Sequence, residues 1–253
     1  MPNLLIQQTD EVVTLTLNRP KVHNALNEEL IIELTEALYK LDQDESVRVV
    51  CIAGSGKHFC AGGDLEWMQK SVDFTHQENI QDAKLLSDLF HILYSLSKPA
   101  VAIIHGAAYG GAIGLIACCD IAIASEKASF SFSEVKLGLV PAIISPYVIK
   151  AIGERHAKRY FLTAEIFDAV IAQKIGLIHE IIPEEKLSEK TIEITNLLLK
   201  NGSHAMKVTK QLFQPVVTES RQRMVEMLAE IRISHEAQKR IKGFLKGFFN
   251  QKP

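Results

Sequence analysis

Leu4 to Gln7 and Val12 to Leu17 run apolar or alternating on either side of Thr9-Asp10-Glu11, which predicts two strands of a hairpin. Asn18-Arg19-Pro20 ends the second strand. From Leu30 the period changes: Leu30, Ile31, Leu34, Ala37, Leu38 and Leu41 recur at helical spacing. Asn27 stands ahead of them as an N-cap, with Glu28 and Glu29 in the first turn. Val47 to Ala53 predicts a strand and Leu65 to Lys70 a short helix. Ser71 to Asn79 is polar and expected to be mobile, and Ile80 to Ser95 carries a helical apolar face of Ala83, Leu86, Leu89, Phe90, Leu93 and Tyr94. Ala100 to Ile104, opened by Pro99, is short and wholly apolar, as suits a strand covered on both faces.

Ala112 to Cys119 predicts the next helix. Tyr147 to Ile152 (behind Ser145-Pro146), Ala157 to Leu162 and Ile166 to Ile175 read as further helices, and Leu177 to Ile182 as a last strand. From Glu184 onward the pattern is helical, with apolar residues at Leu197, Leu198, Leu199, Val208, Leu212, Met224, Leu228 and Ile231. Strand and helix alternating early, followed by a helical tail, make this an α/β chain.

The 253 residues, 47% hydrophobic, suffice for one large core or a core with a small accessory unit. A net charge of −2 without a basic stripe argues against nucleic-acid binding. No apolar run reaches the roughly 18 residues of a membrane span, and the first residues lack the pattern of a signal or transit peptide. A soluble, cytoplasmic protein is expected. Cys51, Cys60, Cys118 and Cys119 lack paired CxxC spacing. They read as small buried residues in a reducing compartment, and neither a metal site nor a disulfide framework is expected.

The chemistry concentrates between Ile103 and Glu134. Gly106, Gly110 and Gly111 stand just ahead of the Ala112 helix, where backbone amides at the helix start lack intrahelical partners and favour negative charge. A second glycine turn, KHFCAGGD over Lys57 to Asp64, also follows a strand and precedes a short helix. Two such turns, each giving one amide to a single carbonyl oxygen, would form an oxyanion hole. Taken alone, the glycines fit packing in tight turns equally well. Gly54-Ser55-Gly56-Lys57 is not a phosphate loop, because Cys51 occupies the place of that motif's first glycine and His58 that of its Ser or Thr.

KHFCAGGD resembles the K-x-F-[CS]-A-G-x-D signature of the crotonase superfamily of enoyl-CoA hydratases and isomerases. GAAYGG followed by CCDIAIASEKASF resembles its second signature. LNRPKVHNALN, Lys98-Pro99, GLV-P after Glu134, and Ala172, Gly176, Leu177 and Glu180 follow in the family's order. The resemblance implies a spiral of ββα units over residues 1–195 and a helical subdomain over 196–253 that supports homotrimers or homohexamers. It implies an acyl-CoA thioester as substrate, with no cofactor beyond the coenzyme A the substrate carries. The amides of Gly63 and Gly111 are then the oxyanion hole, and Glu134, in SFSEVKLG, is the acid/base. Lys21, Ala25, Leu26 and Ala61 line the nucleotide end, and Phe244 reaches a neighbouring subunit's coenzyme A.

Family hydratases carry a second glutamate where this chain has Gly114. One carboxylate in place of two is also found in Δ3,Δ2-enoyl-CoA isomerases. SEVKLGLVPAIISPYVIKAIGERHAKRYFLTAE and IRISHEAQK nevertheless resemble the bacterial 3-methylglutaconyl-CoA hydratase group more closely. The resemblance thus implies hydration of a branched, carboxylated 2-enoyl-CoA in leucine or related breakdown, with isomerisation or non-catalytic acyl-CoA binding as the alternatives. Gly114 is expected to leave room beside the substrate's C2 and C3. Lys70, Lys136 and Tyr147 are candidate partners for its distal carboxylate. Ser131, three residues before Glu134, offers the competing reading of a helix-capping pair, while Asp64, Asp120, His58 and His105 read as structural.

Overall fold

The computed structural model describes residues 2–213 and 221–249. Its elements run β1 (Leu4–Thr9), β2 (Val12–Leu17), α1 (Glu28–Gln43), β3 (Val49–Gly54), α2 (Leu65–Ser71), α3 (His76–Ser95), β4 (Ala100–Ile104), β5 (Ala107–Tyr109), α4 (Gly111–Cys118) and β6 (Ile121–Ser125). They continue with β7 (Ser129–Ser131), α5 (Ser145–Thr163), β8 (Phe167–Asp168), α6 (Ala169–Lys174), β9 (Glu180–Ile182), α7 (Leu187–Leu199), α8 (Ser203–Gln211), α9 (Arg221–Arg232) and α10 (His235–Phe249). β1 pairs antiparallel with β2, and from β2 onward the larger sheet, ordered β1-β2-β3-β4-β6-β9, is parallel. A smaller sheet, β5-β7-β8, stands beside it.

The central strands β3 and β4 are apolar almost throughout because both of their faces are covered, whereas β2 keeps Thr14 and Thr16 on its less buried face. Val50, Ile52, Ala102 and Ile104 belong to the main core with α1 and α3, while Val49, Cys51, Val101 and Ile123 pack against Leu187 and Ile194 of α7. The period-two alternation of a strand sorts neighbouring residues into these two cores. α7 therefore covers one face of the sheet, and the division expected between residues 195 and 196 falls inside it.

Several elements depart from the sequence reading. α3 starts at His76 and not at Ile80, because Thr75 and Glu78 form a capping box: the Thr75 hydroxyl accepts from the Glu78 amide and the Glu78 carboxylate accepts from the Thr75 amide at 2.7 Å. Part of the stretch expected to be mobile is thus the ordered first turn of a helix. The helix expected from Ile166 opens as strand β8, whose Phe167 stacks on Phe130 of β7 at 5.6 Å between ring centroids. Only Glu180–Ile182 of the last expected strand pairs. α5 kinks at Gly153, which takes a φ of 75°, and so divides where two helices were expected.

The helical tail folds back over the body. Val225 and Leu228 of α9 enter the main core beside α3, and Ala237, Ile241 and Leu245 of α10 cluster with Leu137, Leu139, Leu65, Met68 and Val72. The side chain of Met224, expected on this apolar face, lies outside the described residues. No described helix is long and apolar enough to cross a membrane.

Candidate active site

The segments that leave β2, β3 and β4 meet at the C-terminal edge of the large sheet. Phe59 and Cys60 donate their amides to His105 O (2.8 Å) and Ala107 O (3.1 Å), and Tyr109 returns one to Cys60 O at 3.1 Å. On the other side Ala61 donates to His23 O, Leu26 to Gly62 O and Asp64 to Leu26 O, at 2.9, 2.7 and 2.9 Å. This last pair makes Leu26 and Gly63 a one-residue parallel bridge. Its bonds use Gly62 O and Asp64 N, so the N–H of Gly63 itself points to the opposite side. Gly111 is the first residue of α4 and its N–H belongs to the orphan donors of a helix start. Gly110, whose amide is bound to Ser131 O, turns the chain into α4 with φ 53° and ψ −122°, a conformation open to glycine alone.

Gly63, Gly110, Gly111 and Glu134 line one cavity of about 110 Å³. Glu134 opens a short 3-10 turn, Glu134–Leu137, closed by Gly138 in the left-handed conformation. Neither Ser133 nor Ser131 caps this turn. The Ser131 hydroxyl donates instead to Ala164 O at 3.1 Å, which removes the capping reading of Glu134. Its Oε2 is enclosed and has no hydrogen-bond partner among the described residues, and burial pushes its carboxyl up to about 7, against a small opposing effect of its own backbone amide. A carboxyl titrating there both takes and gives a proton at neutral pH.

Gly114 does not open space. It sits in α4 outside the cavity lining, and a Cβ there would lie 2.8 Å from Phe90 Cε1 and closer still to Ile144 Cγ2. These two side chains fill the place where family hydratases carry a second carboxylate, so the expectation of room beside C2 and C3 is overturned.

Of the residues expected at the nucleotide end, Leu26 lines the cavity, Ala25 is buried beside it, and Ala61 is tied to His23. Lys21 is exposed on the 3-10 turn Pro20–Val22 just upstream. Phe244 is 46% exposed on α10 and outside the cavity, to which that helix contributes Ile241. Lys70 and Lys136 are exposed and Tyr147 is buried, and none of the three lines the cavity. Asp64 accepts from the Glu66 and Trp67 amides and pairs with Arg19 at 2.8 Å, holding the glycine turn as expected. Asp120 accepts from the Ala100 amide (2.7 Å) and pairs with Lys210. His58 Nδ1 accepts from the Ala107 amide and His105 meets Gly56 O, so both brace the loops. Burial pushes the Cys51 and Cys60 thiols up to about 12, which fits packing residues.

Two charged cavity residues were not read from the sequence: Asp82 of α3 and Arg232 of α9, which form a buried ion pair in its wall. A lone Asp inside a helical apolar face was the available signal for the first. Trp67, Met68, Leu137, Leu139, Ile143 and Leu228 supply apolar lining.

The chain matches the family model described as enoyl-CoA hydratase/isomerase over residues 7–253. It is 35% identical over 201 residues to a Thermus thermophilus protein assigned as an enoyl-CoA hydratase, covering 79% of each chain. It is 30% identical over 213 residues to the 2,3-dehydroadipyl-CoA hydratase of Escherichia coli K12, covering 83% of this chain and 81% of that relative. Among solved structures, one from Legionella pneumophila assigned to enoyl CoA hydratase/isomerase (crotonase) superposes with a TM-score of 0.82 at 42% identity, covering 98% of this chain and 97% of that one.

Two substitutions check this geometry. Gly114→Glu, which installs the carboxylate where family hydratases carry one, is expected to lower stability by about 2 kcal/mol or more through overpacking against Phe90 and Ile144; unchanged urea unfolding together with a gain in hydration would contradict the packing described. Glu134→Gln tests the burial of the carboxyl. The folded-state value near 7 lies above the ordinary 4.5, so between these values the unfolded chain ionises while the folded one keeps its proton, and stability falls as pH rises through that window. The variant is expected to match wild type near pH 4 and to exceed it by up to about 3 kcal/mol above pH 7, read from denaturant midpoints across pH.

Proposed function

The chain belongs to the enoyl-CoA hydratase/isomerase family, the crotonase superfamily, and is an enzyme of it; within that family we propose that it reversibly hydrates a branched or carboxylated 2-enoyl-CoA such as 3-methylglutaconyl-CoA. The observation that carries the reading is the Glu134 carboxyl, its Oε2 without a partner among the described residues, lining the same cavity as the two glycines. Acyl-CoA enters with its thioester oxygen between the N–H groups of Gly63 and Gly111. The ionised Glu134 takes a proton from water as the water oxygen bonds to C3, and the displaced electron pair moves through C2 onto the thioester oxygen. Each amide that holds this enolate contributes about 3 kcal/mol to the barrier reduction. As the enolate collapses, Glu134 returns its proton to C2 on the same face, so addition is syn and one carboxyl serves both steps.

Lys21, Ala25, Leu26 and Ala61 receive the nucleotide end in this reading, and the reaction needs no cofactor beyond the coenzyme A of the substrate. A carboxylated substrate accords with the relative named for 2,3-dehydroadipyl-CoA. The second reading is Δ3,Δ2-isomerisation, favoured by one observation: Phe90 and Ile144 fill the position of the second carboxylate, which suits a single base moving a proton between C2 and C4. We assign the protein to homotrimers or homohexamers in a cytoplasmic setting. Ile192, Leu197, Val208 and Leu212 are exposed apolar residues on the helical tail, and closed cyclic assembly would cover them, with Phe244 of α10 turned towards a neighbouring coenzyme A.

A panel of straight-chain 2-enoyl, 3-enoyl and 3-methylglutaconyl thioesters, followed at the enoyl absorbance and by mass, separates the readings. Water gain greatest for the branched carboxylated thioester is expected; conversion of a 3-enoyl to a 2-enoyl thioester without mass change would transfer the case to isomerisation. Glu134→Gln should lower kcat by about 10²-fold or more while binding persists, and equal turnover would leave only an acyl-CoA binder. Light scattering at micromolar concentration should report three or six copies, and a stable 28.2 kDa monomer would refute the assembly.

A further inference from the structure

Among the described residues Arg232 is the cavity's only cation, and it is not a surface residue that strays inwards. Its side chain is 10% exposed and that of Asp82 6%. Arg232 Nη1 donates to Asp82 Oδ2, the one hydrogen bond described for this guanidinium. Asp82 has a second polar neighbour in the Trp67 side chain, which also lines the cavity. The surrounding wall, from Leu86, Phe90, Leu139, Ile143 and Leu228, is apolar.

A buried ion pair is seldom the most stable way to join two helices, since apolar side chains of similar volume do as well or better. α3 and α9 already share Ala83, Leu89 and Phe90 on one side and Val225 and Leu228 on the other within a single core. The pair therefore adds little to packing that apolar residues would not supply, yet it puts a permanently charged group in the wall of the acyl cavity. A guanidinium carries five N–H donors in a planar fork, and one bond to Asp82 leaves others to offer. An anionic ligand group taken into a cavity whose lining is mainly apolar, with Glu134 and Asp82 as its carboxyls and Ser71 and Ser133 as its hydroxyls, needs such a partner.

We propose that the guanidinium of Arg232, oriented by Asp82, receives the distal carboxylate of the acyl chain and sets a preference for carboxylated over methyl-ended acyl-CoA. This rests on the reading of the cavity as an acyl-CoA site and replaces Lys70, Lys136 and Tyr147 as the partner of that carboxylate. Arg232 is the contacting group and Asp82 a positioning residue. Asp82 also neutralises the guanidinium, which keeps the cavity open to less charged acyl ends.

The test uses saturated thioesters that cannot be hydrated, so its result is independent of turnover. Titration calorimetry of the full-length protein with glutaryl-CoA and pentanoyl-CoA gives the ratio of their affinities. Wild type should favour glutaryl-CoA by about 10-fold or more. The double variant Arg232→Met with Asp82→Leu, which replaces the pair by apolar side chains, should lose that preference. Asp82→Asn, which frees the charge, should increase it, and Arg232→Lys should retain part of it. A purely structural pair would change unfolding midpoints and both affinities together, leaving the ratio unmoved. A wild-type ratio near one, or a ratio unchanged in the double variant, overturns the proposal. Should the double variant not fold, an unchanged or lowered ratio in Asp82→Asn overturns it alone. Failure of the hydration reading would appear separately, as intact carboxylate preference without water gain by the enoyl thioesters.

Discussion

Everything at this site depends on how three loops satisfy their backbone groups where the parallel strands end. Loops over a sheet edge leave N–H and C=O groups that must be paired if they are to be buried. Here they pair with each other through the single-residue bridges Leu26 to Gly63 and Cys60 to Ala108. Asn24, wholly buried and in the left-handed region, supplies what the bridges omit: its Nδ2 donates to Ser55 O, His58 O and Phe59 O, and its Oδ1 accepts from the Arg19 amide. Because Gly62 O and Asp64 N are engaged by Leu26, the orientation of the amide between them is fixed by the backbone. No side-chain rotamer has to be chosen to keep that donor in place, which is the form of preorganisation that costs least at the moment of reaction.

The same enclosure that fixes the donors sets the acidity of the one carboxyl among them. Glu134 Oε2 has no hydrogen-bond partner among the described residues, and lost hydration raises the carboxyl against the opposing effect of its own backbone amide. Asp82 in the same cavity is also pushed up by burial, but the Arg232 guanidinium draws it back towards ionisation. Two carboxyls in one cavity thus have different environments: an unpartnered one free to exchange a proton, and a paired one committed to holding a cation. Filling of the Gly114 position by Phe90 and Ile144 sharpens that division, because no further acid can stand in the wall beside α4.

The sequence carried the site wherever function resides in local backbone. Gly63, Gly111 and Glu134 lie in turns whose residue types are legible without the fold, and all three meet in one cavity. Strands β2 to β4 were legible in their pattern, β2 by its alternation and β3 and β4 by the nearly unbroken apolar run that burial on both faces produces. Most of what the sequence leaves open depends on tertiary packing. The side chain that fills the Gly114 position comes from Ile144, thirty positions onward, and no local pattern ties the two. Arg232 ends a helix whose phase relative to α3 is unknown until both pack, so nothing local marks it as a cavity residue. β5, β7 and β8, of three, three and two residues, are too short to show a period. The start of α3 differs, because Thr75 and Glu78 stand at capping-box spacing and mark it locally within an otherwise polar stretch.

The tail matters to the chemistry because it closes the cavity that gives Glu134 its acidity. Gly138 sits at a φ of 69°, and a Cβ there would come within 3.0 Å of the Ala237 backbone. α10 therefore rests directly on the turn that carries Glu134, with Leu137 and Leu139 on either side of Gly138 packed into the same cluster as Ile241 and Leu245. From the other direction α9 brings Leu228 and Arg232 to the wall. Removing these two helices would take Leu228, Arg232 and Ile241 out of the cavity wall and restore hydration to the Glu134 carboxyl, which would return towards its ordinary range. The tail and the glycine turns are far apart in sequence, yet both contribute to the lining of one cavity, where Gly63, Gly111, Glu134 and Arg232 come together.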